Sequence, residues 1–213
     1  MKFTVIKSPN YSKNTRKPSK IKFLIIHYTG MQSKRVSLKK LLNPKSKSRV
    51  SCHYFIEKSG KIIQMVDENK IAWHAGKSKW KNFKNLNTNS LGIELENKGH
   101  NFGYENFTKK QIDQLVKLTL RLKKKYKIKN SFILGHSDIA PLRKKDPGEK
   151  FPWSYLKKRG IGTWYPNSKN LKIKGETKSN RKIFFKNLFR IGYRYFNKNS
   201  NSKKDKYIIK AFQ

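Results

Sequence analysis

Cysteine is almost missing from this 213-residue chain; Cys52 is the only one. An intrachain disulfide is therefore impossible, and a small disulfide-stapled secreted scaffold is excluded. Acidic residues are also scarce, 12 against 52 lysines and arginines, which leaves a formal net charge of +40. Such a field attracts polyanions of any kind: nucleic acid, an anionic membrane or an acidic wall polymer. A lysine-rich proteome gives the same composition with no partner at all. No apolar run reaches the length of a membrane span. The first twenty residues hold neither an unbroken apolar segment nor a small-residue cleavage site. Cytoplasmic location is the expectation, with export by an unrecognised route as the alternative.

What is present suffices for a folded domain. Hydrophobic residues make up 35% and aromatics 13%, which argues against a wholly disordered chain. The mean hydropathy of -0.86 implies long polar surface stretches. Residues 1–20, with Pro9 and Pro18, read as an extended N-terminal lead-in. KFLIIHY (22–28) reads as a buried strand and SLKKLL (37–42) as a short helix ending at Asn43-Pro44. CHYFIEK and KIIQMV, separated by Ser59-Gly60, carry a hairpin signal. Residues 70–90 read as a loop, and SLGIELEN (90–97) as a strand with Ile93 and Leu95 on one face and Glu94 and Glu96 on the other.

The clearest helix starts at Thr108, with Gln111 completing a capping box and Ile112, Leu115, Val116, Thr119 and Leu122 forming an apolar stripe. SFILGH (131–136) reads as a further strand, followed by a long loop and a short helix at 153–159. Strands interleaved with helices point to an α/β class, a mixed central sheet flanked by helices. The domain is expected to span 21–166. Beyond it, 167–213 hold 14 Lys or Arg and two acidic residues, Glu176 and Asp205. That segment reads as a basic C-terminal tail, helical in part or disordered.

His27 and His136 each end an apolar strand, where α/β folds place their sites. A lone histidine there is as a rule a packed or surface residue; two at equivalent ends point to a shared rim. Asp146, in KKDPG, offers an oxygen ligand, although DPG also reads as a plain turn. Two imidazoles and a carboxylate leave a fourth position open, the donor set of a catalytic zinc. Glu94, mid-strand, is the candidate proton acceptor, since an inward carboxylate is costly without a partner. Lys144 is a candidate for stabilising an oxyanion, in competition with an ordinary surface role among so many lysines. His74, in WHAG beside Trp73, is a candidate substrate contact. His53 fits an orienting hydrogen bond. Asn97 and Arg143 join His53, Trp73 and His74 as substrate-binding or orienting candidates. His100 completes the five histidines.

The pieces IIHYTG (25–30), VSCHYFI (50–56), AWHAG (72–76), SLGIELEN (90–97) and GHSDIAPLRKKDPGEKFPW (135–153) occur in an order that resembles the zinc-dependent amidase-2 family. These are the N-acetylmuramoyl-L-alanine amidases related to AmpD and AmiD, and more distantly the peptidoglycan recognition proteins and the lysozyme of T7 phage. The resemblance covers most of 21–160. It implies zinc bound by His27, His136 and Asp146, with Glu94 as the catalytic glutamate and Lys144 as the catalytic lysine. It also implies hydrolysis of the amide between N-acetylmuramic acid and the L-alanine of a stem peptide. Peptidoglycan, or its recycled anhydromuropeptide fragments, would be the partner of a monomer. Two other classes compete. A non-catalytic peptidoglycan-binding module predicts a missing ligand, whereas all are in place. A nucleic-acid binder would use the basic, aromatic tail, but no nucleic-acid-binding motif is visible, so no specific nucleic acid is expected. An anionic surface remains open to the tail.

Overall fold

A computed structural model describes residues 3–164, 178–196 and 205–212. Strands β1 (Thr4–Val5) and β2 (Tyr11–Thr15) precede the first apolar strand, β3 (Phe23–Tyr28). Helix α1 (Lys34–Leu42) starts earlier than its leucine spacing predicts, because the Ser33 hydroxyl caps it by accepting from the Val36 amide at 3.3 Å. Strands β4 (Tyr54–Ile56) and β5 (Ile62–Gln64) form the expected hairpin. Then come β6 (Lys70–Ala72), β7 (Lys79–Trp80), β8 (Phe83–Lys84) and β9 (Ser90–Leu95). Helix α2 (Lys109–Tyr126) leads to β10 (Ile133–Gly135), followed at once by the one-turn helix α3 (His136–Ile139). Helices α4 (Trp153–Lys157), α5 (Lys178–Ile191) and α6 (Asp205–Phe212) complete the described chain. Among the described residues no helix is long and apolar enough to cross a membrane.

Six strands form one mixed sheet in the order β1-β5-β4-β9-β3-β10. The strands β4, β9, β3 and β10 run parallel, and β5 lies antiparallel to β4. Alternation along each strand decides what each face carries. Leu24, Ile26, Tyr54, Ile56, Leu91, Ile93 and Leu95 share one core with Ile112, Leu115, Val116, Leu118 and Leu122 of α2 and Leu156 of α4. On the other face, Phe23 and Ile25 pack with Phe185, Leu188 and Ile208 of α5 and α6. Farther along that face, Phe55 and Ile63 pack with Leu41, Cys52 and Met65. Full burial of one such side chain contributes about 1.5–3 kcal/mol, against about 0–1 kcal/mol for a surface ion pair. Apolar packing, rather than the many surface charges, holds the layers together. Between the two smaller clusters the same face carries His27 and Glu94, which are direct neighbours on β3 and β9.

Four expectations change. Residues 3–20 are not a separate extended lead-in: β1 pairs with β5 at the sheet edge, β2 pairs with β6, and Pro18–Lys20 form a single 3-10 turn. The segment 70–90 is not an open loop, since it holds β6 and the β7–β8 ribbon. The capping box of α2 is half made. Thr108 accepts from the Gln111 amide at 3.1 Å, but the Gln111 side chain turns inward and donates to the carbonyls of Ile56 and Glu96 at 2.9 and 3.1 Å. Two buried carbonyls outbid one terminal amide, because an unpaired buried group costs more than a frayed end. Finally, the described parts of 167–213 are helical in part, as one of the two expectations had it, but they are not a free tail: α5 and α6 bury Phe185, Leu188 and Ile208 against the sheet domain. The expected tail positions 167–177, 197–204 and 213 lie outside the described residues.

Candidate active site

Gly135 at the end of β10 lies opposite Ile26 of β3. His136 and His27, one step beyond each, are thereby brought side by side. Asp146 returns from the loop after α3, where its carbonyl accepts from the Ser137 amide at 2.8 Å. The turn carrying it is pinned from outside. The Tyr104 hydroxyl donates to the Pro147 carbonyl at 2.6 Å, and His100 lies between Tyr28 at 2.7 Å and Glu149 at 3.0 Å.

The three donor atoms converge. His27 Nδ1 and His136 Nδ1 are 2.9 Å apart, and Asp146 Oδ2 is 3.0 Å from each. All three residues are buried. Outer contacts orient one ring directly: His136 Nε2 faces the Ala75 carbonyl at 3.2 Å, nearer than the Arg143 guanidinium at 3.4 Å, and donation to that carbonyl leaves Nδ1 with its lone pair. Burial, reinforced by neighbouring His136, lowers the His27 pKa to about 4, so the ring is neutral at pH 7. Burial alone would raise the Asp146 carboxyl, but charge and hydrogen bonds from His136 and His27 outweigh it and hold it well below its usual range. Lone pairs and a carboxylate aimed at one point repel each other unless a cation or shared protons lie between. A single ion at roughly 2.0–2.1 Å from each nitrogen would meet all three donors, so the set fits zinc.

Glu94 stands beside His27 on β9. It is only half-buried, yet its Oε2 is shut off from solvent with no hydrogen-bond partner. Burial, and then the charge of Asp146, push its pKa up to about 8 against the opposing charge of Lys144. Lys144 is half-buried, and its charge is felt at both Glu94 and His27. The structure thus gathers His27, His136, Asp146, Glu94 and Lys144 in one region.

The remaining candidates surround it. His74 Nδ1 faces His27 Nε2 at 3.0 Å. His53 does not reach the donor set; its Nδ1 accepts from the Gly92 amide at 3.0 Å and its Nε2 meets Arg16 at 2.9 Å. Burial, then the Arg16 charge, lowers the His53 pKa to about 3. Trp73 is half-exposed under the Arg49 guanidinium, 4.9 Å from the ring centroid. Arg143 folds back onto the WHAG loop and donates to the carbonyls of Ala75 and Lys77. Asn97 is buried and spent on backbone, donating to the Glu105 carbonyl and accepting from the Gly99 amide, both at 2.9 Å. Arg143 and Asn97 therefore brace loops.

Sequence reasoning missed Arg16, Ser90, Asn87 and Tyr104. Arg16 looks like any other cation in a polar stretch, yet it is buried against the carbonyls of Glu68, Asn87, Thr88 and Ser90. The Asn87 Oδ1 accepts from the amides of His74 and Ala75 at 3.1 and 2.7 Å. A signal for Ser90 did exist, two and four residues before Gly92 and Glu94 on one strand face.

Comparison with known proteins gives a consistent picture. A family profile described as N-acetylmuramoyl-L-alanine amidase matches residues 17–149. The chain is 36% identical to N-acetylmuramoyl-L-alanine amidase AmiD of Escherichia coli over 179 residues, which is 75% of this chain but 62% of that protein. It is 36% identical to 1,6-anhydro-N-acetylmuramyl-L-alanine amidase AmpD of Haemophilus influenzae, covering 70% of this chain and 86% of that one. A solved structure of E. coli AmiD, in complex with the substrate anhydro-N-acetylmuramic acid-L-Ala-D-gamma-Glu-L-Lys, superposes with a TM-score of 0.78 at 31% identity. That superposition covers 96% of this chain and 83% of AmiD.

Proposed function

The chain belongs to the N-acetylmuramoyl-L-alanine amidase family, and on that premise we propose that it hydrolyses the amide joining N-acetylmuramic acid, in its ordinary or 1,6-anhydro form, to the L-alanine of a stem peptide. The observation that carries the reading is the convergence of His27 Nδ1, His136 Nδ1 and Asp146 Oδ2 within 3.0 Å of one another, next to a carboxylate whose buried oxygen has no partner. AmiD, solved with an anhydromuramyl tripeptide, supports the substrate class.

His27, His136 and Asp146 would hold zinc, which supplies Lewis acidity for a water and for the amide carbonyl. Glu94 takes the proton from the attacking water and returns it to the amine leaving group. Burial raises the Glu94 pKa in the ion-free site; a cation held by the neighbouring donors would lower it, leaving Glu94 ionised when it acts as base. Lys144 offers an ammonium to the oxyanion that develops at the attacked carbonyl. Burial, with the neighbouring His136, keeps the His27 imidazole neutral and available, against the opposing pull of the Asp146 carboxylate.

The test uses anhydro-N-acetylmuramic acid-L-Ala-D-γ-Glu-L-Lys and, separately, intact sacculi. Purified protein is expected to hold about one zinc per chain and to release the free tripeptide, read by mass spectrometry. Release from the small substrate alone supports fragment recycling; release from both supports wall cleavage as well. Protein that binds no zinc and releases peptide from neither sinks the reading. Glu94→Gln is expected to keep its zinc and lose about 10²–10⁴-fold in turnover.

A further inference from the structure

His27 is oriented by a longer chain of hydrogen bonds than His136. Its Nε2 lies 3.0 Å from His74 Nδ1, and His74 Nε2 lies 3.1 Å from the Ser90 hydroxyl. Ser90 in turn donates to the Leu86 carbonyl at 2.6 Å. All three side chains of the relay are buried.

The end of the chain fixes its beginning. A carbonyl can only accept, so the single Ser90 proton goes to Leu86. The Ser90 oxygen must then accept, which places a proton on His74 Nε2. A neutral imidazole carries only one, so His74 Nδ1 has a lone pair and accepts from His27 Nε2–H. His27 Nδ1 is left bare, pointing at His136 and Asp146. Reversing the order would put a proton on the atom that has to bind metal.

The place for this relay is cut into β9. Ser90, Gly92 and Glu94 are successive residues on the face opposite Leu91, Ile93 and Leu95, which lie in the other core. A Cβ on Gly92 would fall 2.4 Å from the His74 ring, closer than carbon atoms approach without displacement. The glycine is the slot in which the ring lies. Arg16 holds the Ser90 carbonyl at 2.7 Å, fixing the strand end from behind.

We infer that Ser90 and His74 are positioning residues that set the tautomer of His27, so that a serine hydroxyl two hydrogen bonds away decides whether His27 Nδ1 is free to bind a metal ion. The inference rests on the zinc reading for its purpose but not for its test. In zinc-free protein, long-range ¹H–¹⁵N NMR of the imidazole nitrogens is expected to show His27 and His74 both as Nε2–H tautomers. A His27 proton on Nδ1 in the parent protein would overturn the proposal, whether or not zinc binds. In Ser90→Ala the anchor is gone; His27 is expected to become a mixture of tautomers, and zinc affinity, measured by competition with a chelator, to fall about 10–100-fold. A folded Ser90→Ala protein that binds zinc as the parent does would overturn it while leaving the hydrolase reading intact. A parent protein that binds no zinc would do the reverse, and the tautomers would still decide the relay.

Discussion

Arg16 sits in a polar stretch between Lys13 and Lys17, yet its guanidinium bridges the carbonyls of Glu68, Asn87, Thr88 and Ser90 inside the protein. Methionine in its place would keep most of the stem and strand those carbonyls, at about 1–3 kcal/mol for each one left unpaired. Relaxation recovers part of that, so Arg16→Met is expected to lose about 3–5 kcal/mol in urea unfolding, the scale of a broken buried charge contact. A loss under about 1 kcal/mol, the size of an exposed contact, would refute this role. Glu68 shows the acid side of the same region. Burial would raise its carboxyl, but hydrogen bonds from Lys125, Tyr126 and Tyr54 outweigh that and bring its pKa from the usual 4.5 down to about 2. A depressed folded pKa means stabilisation present above about pH 4.5 and lost as pH falls toward about 2. Lys125 and Arg121 are both at least a third exposed, and after that screening the contribution is about 2 kcal/mol. The stability gap between parent and Glu68→Gln, read by chemical unfolding across pH, should therefore close on acidification. A gap that widens would contradict the assignment.

Strand β9 is the element on which most of the chemistry depends. Gly92→Ala pushes a methyl into the His74 ring. The variant is expected to fold with a lowered unfolding temperature and to lose at least about 10-fold in zinc affinity, since the outer partner of a ligand is displaced. Unchanged affinity by chelator competition would mean that the ring has room elsewhere. How far such elements could be read from sequence depends on whether their cause is local. The alternation in SLGIEL, the 3.6-residue stripe of α2 and the hairpin around Ser59-Gly60 are local patterns, and each element formed as read. His27, His136 and Asp146 were legible because two strand ends and one long motif singled them out. Arg16 was not, since its burial depends on carbonyls 52 to 74 residues away. The packing of α5 and α6 was hidden for a similar reason: Phe185 and Leu188 lie in a basic segment, and only the apolar sheet face that they cover, Phe23, Ile25 and Leu134, explains them. The Gln111 side chain turned inward because two carbonyls from β4 and the end of β9 awaited it, a fact no window of neighbouring residues contains.

At the scale of the whole molecule, the few carboxylates are mostly spent internally. Asp67, Glu57, Glu68, Glu105, Asp113 and Asp205 pair with lysine or arginine, and Asp146 and Glu149 with histidine. The remaining surface is cationic and repels itself. Added salt is therefore expected to raise the unfolding temperature, and binding to heparin or DNA to weaken steeply as salt rises. An unfolding temperature that falls between about 0.05 and 0.5 M sodium chloride would show that specific ion pairs outweigh the repulsion. The placement of the donors has a further consequence. His27 and Asp146 are 119 positions apart in the chain, with four of the six sheet strands between them. An ion shared by the two closes that stretch into a ring, and a ring has far less freedom to lose on folding than an open chain. Zinc would thus act as a covalent bridge does, but through exchangeable bonds indifferent to redox conditions, in a chain whose single cysteine can make no bridge of its own.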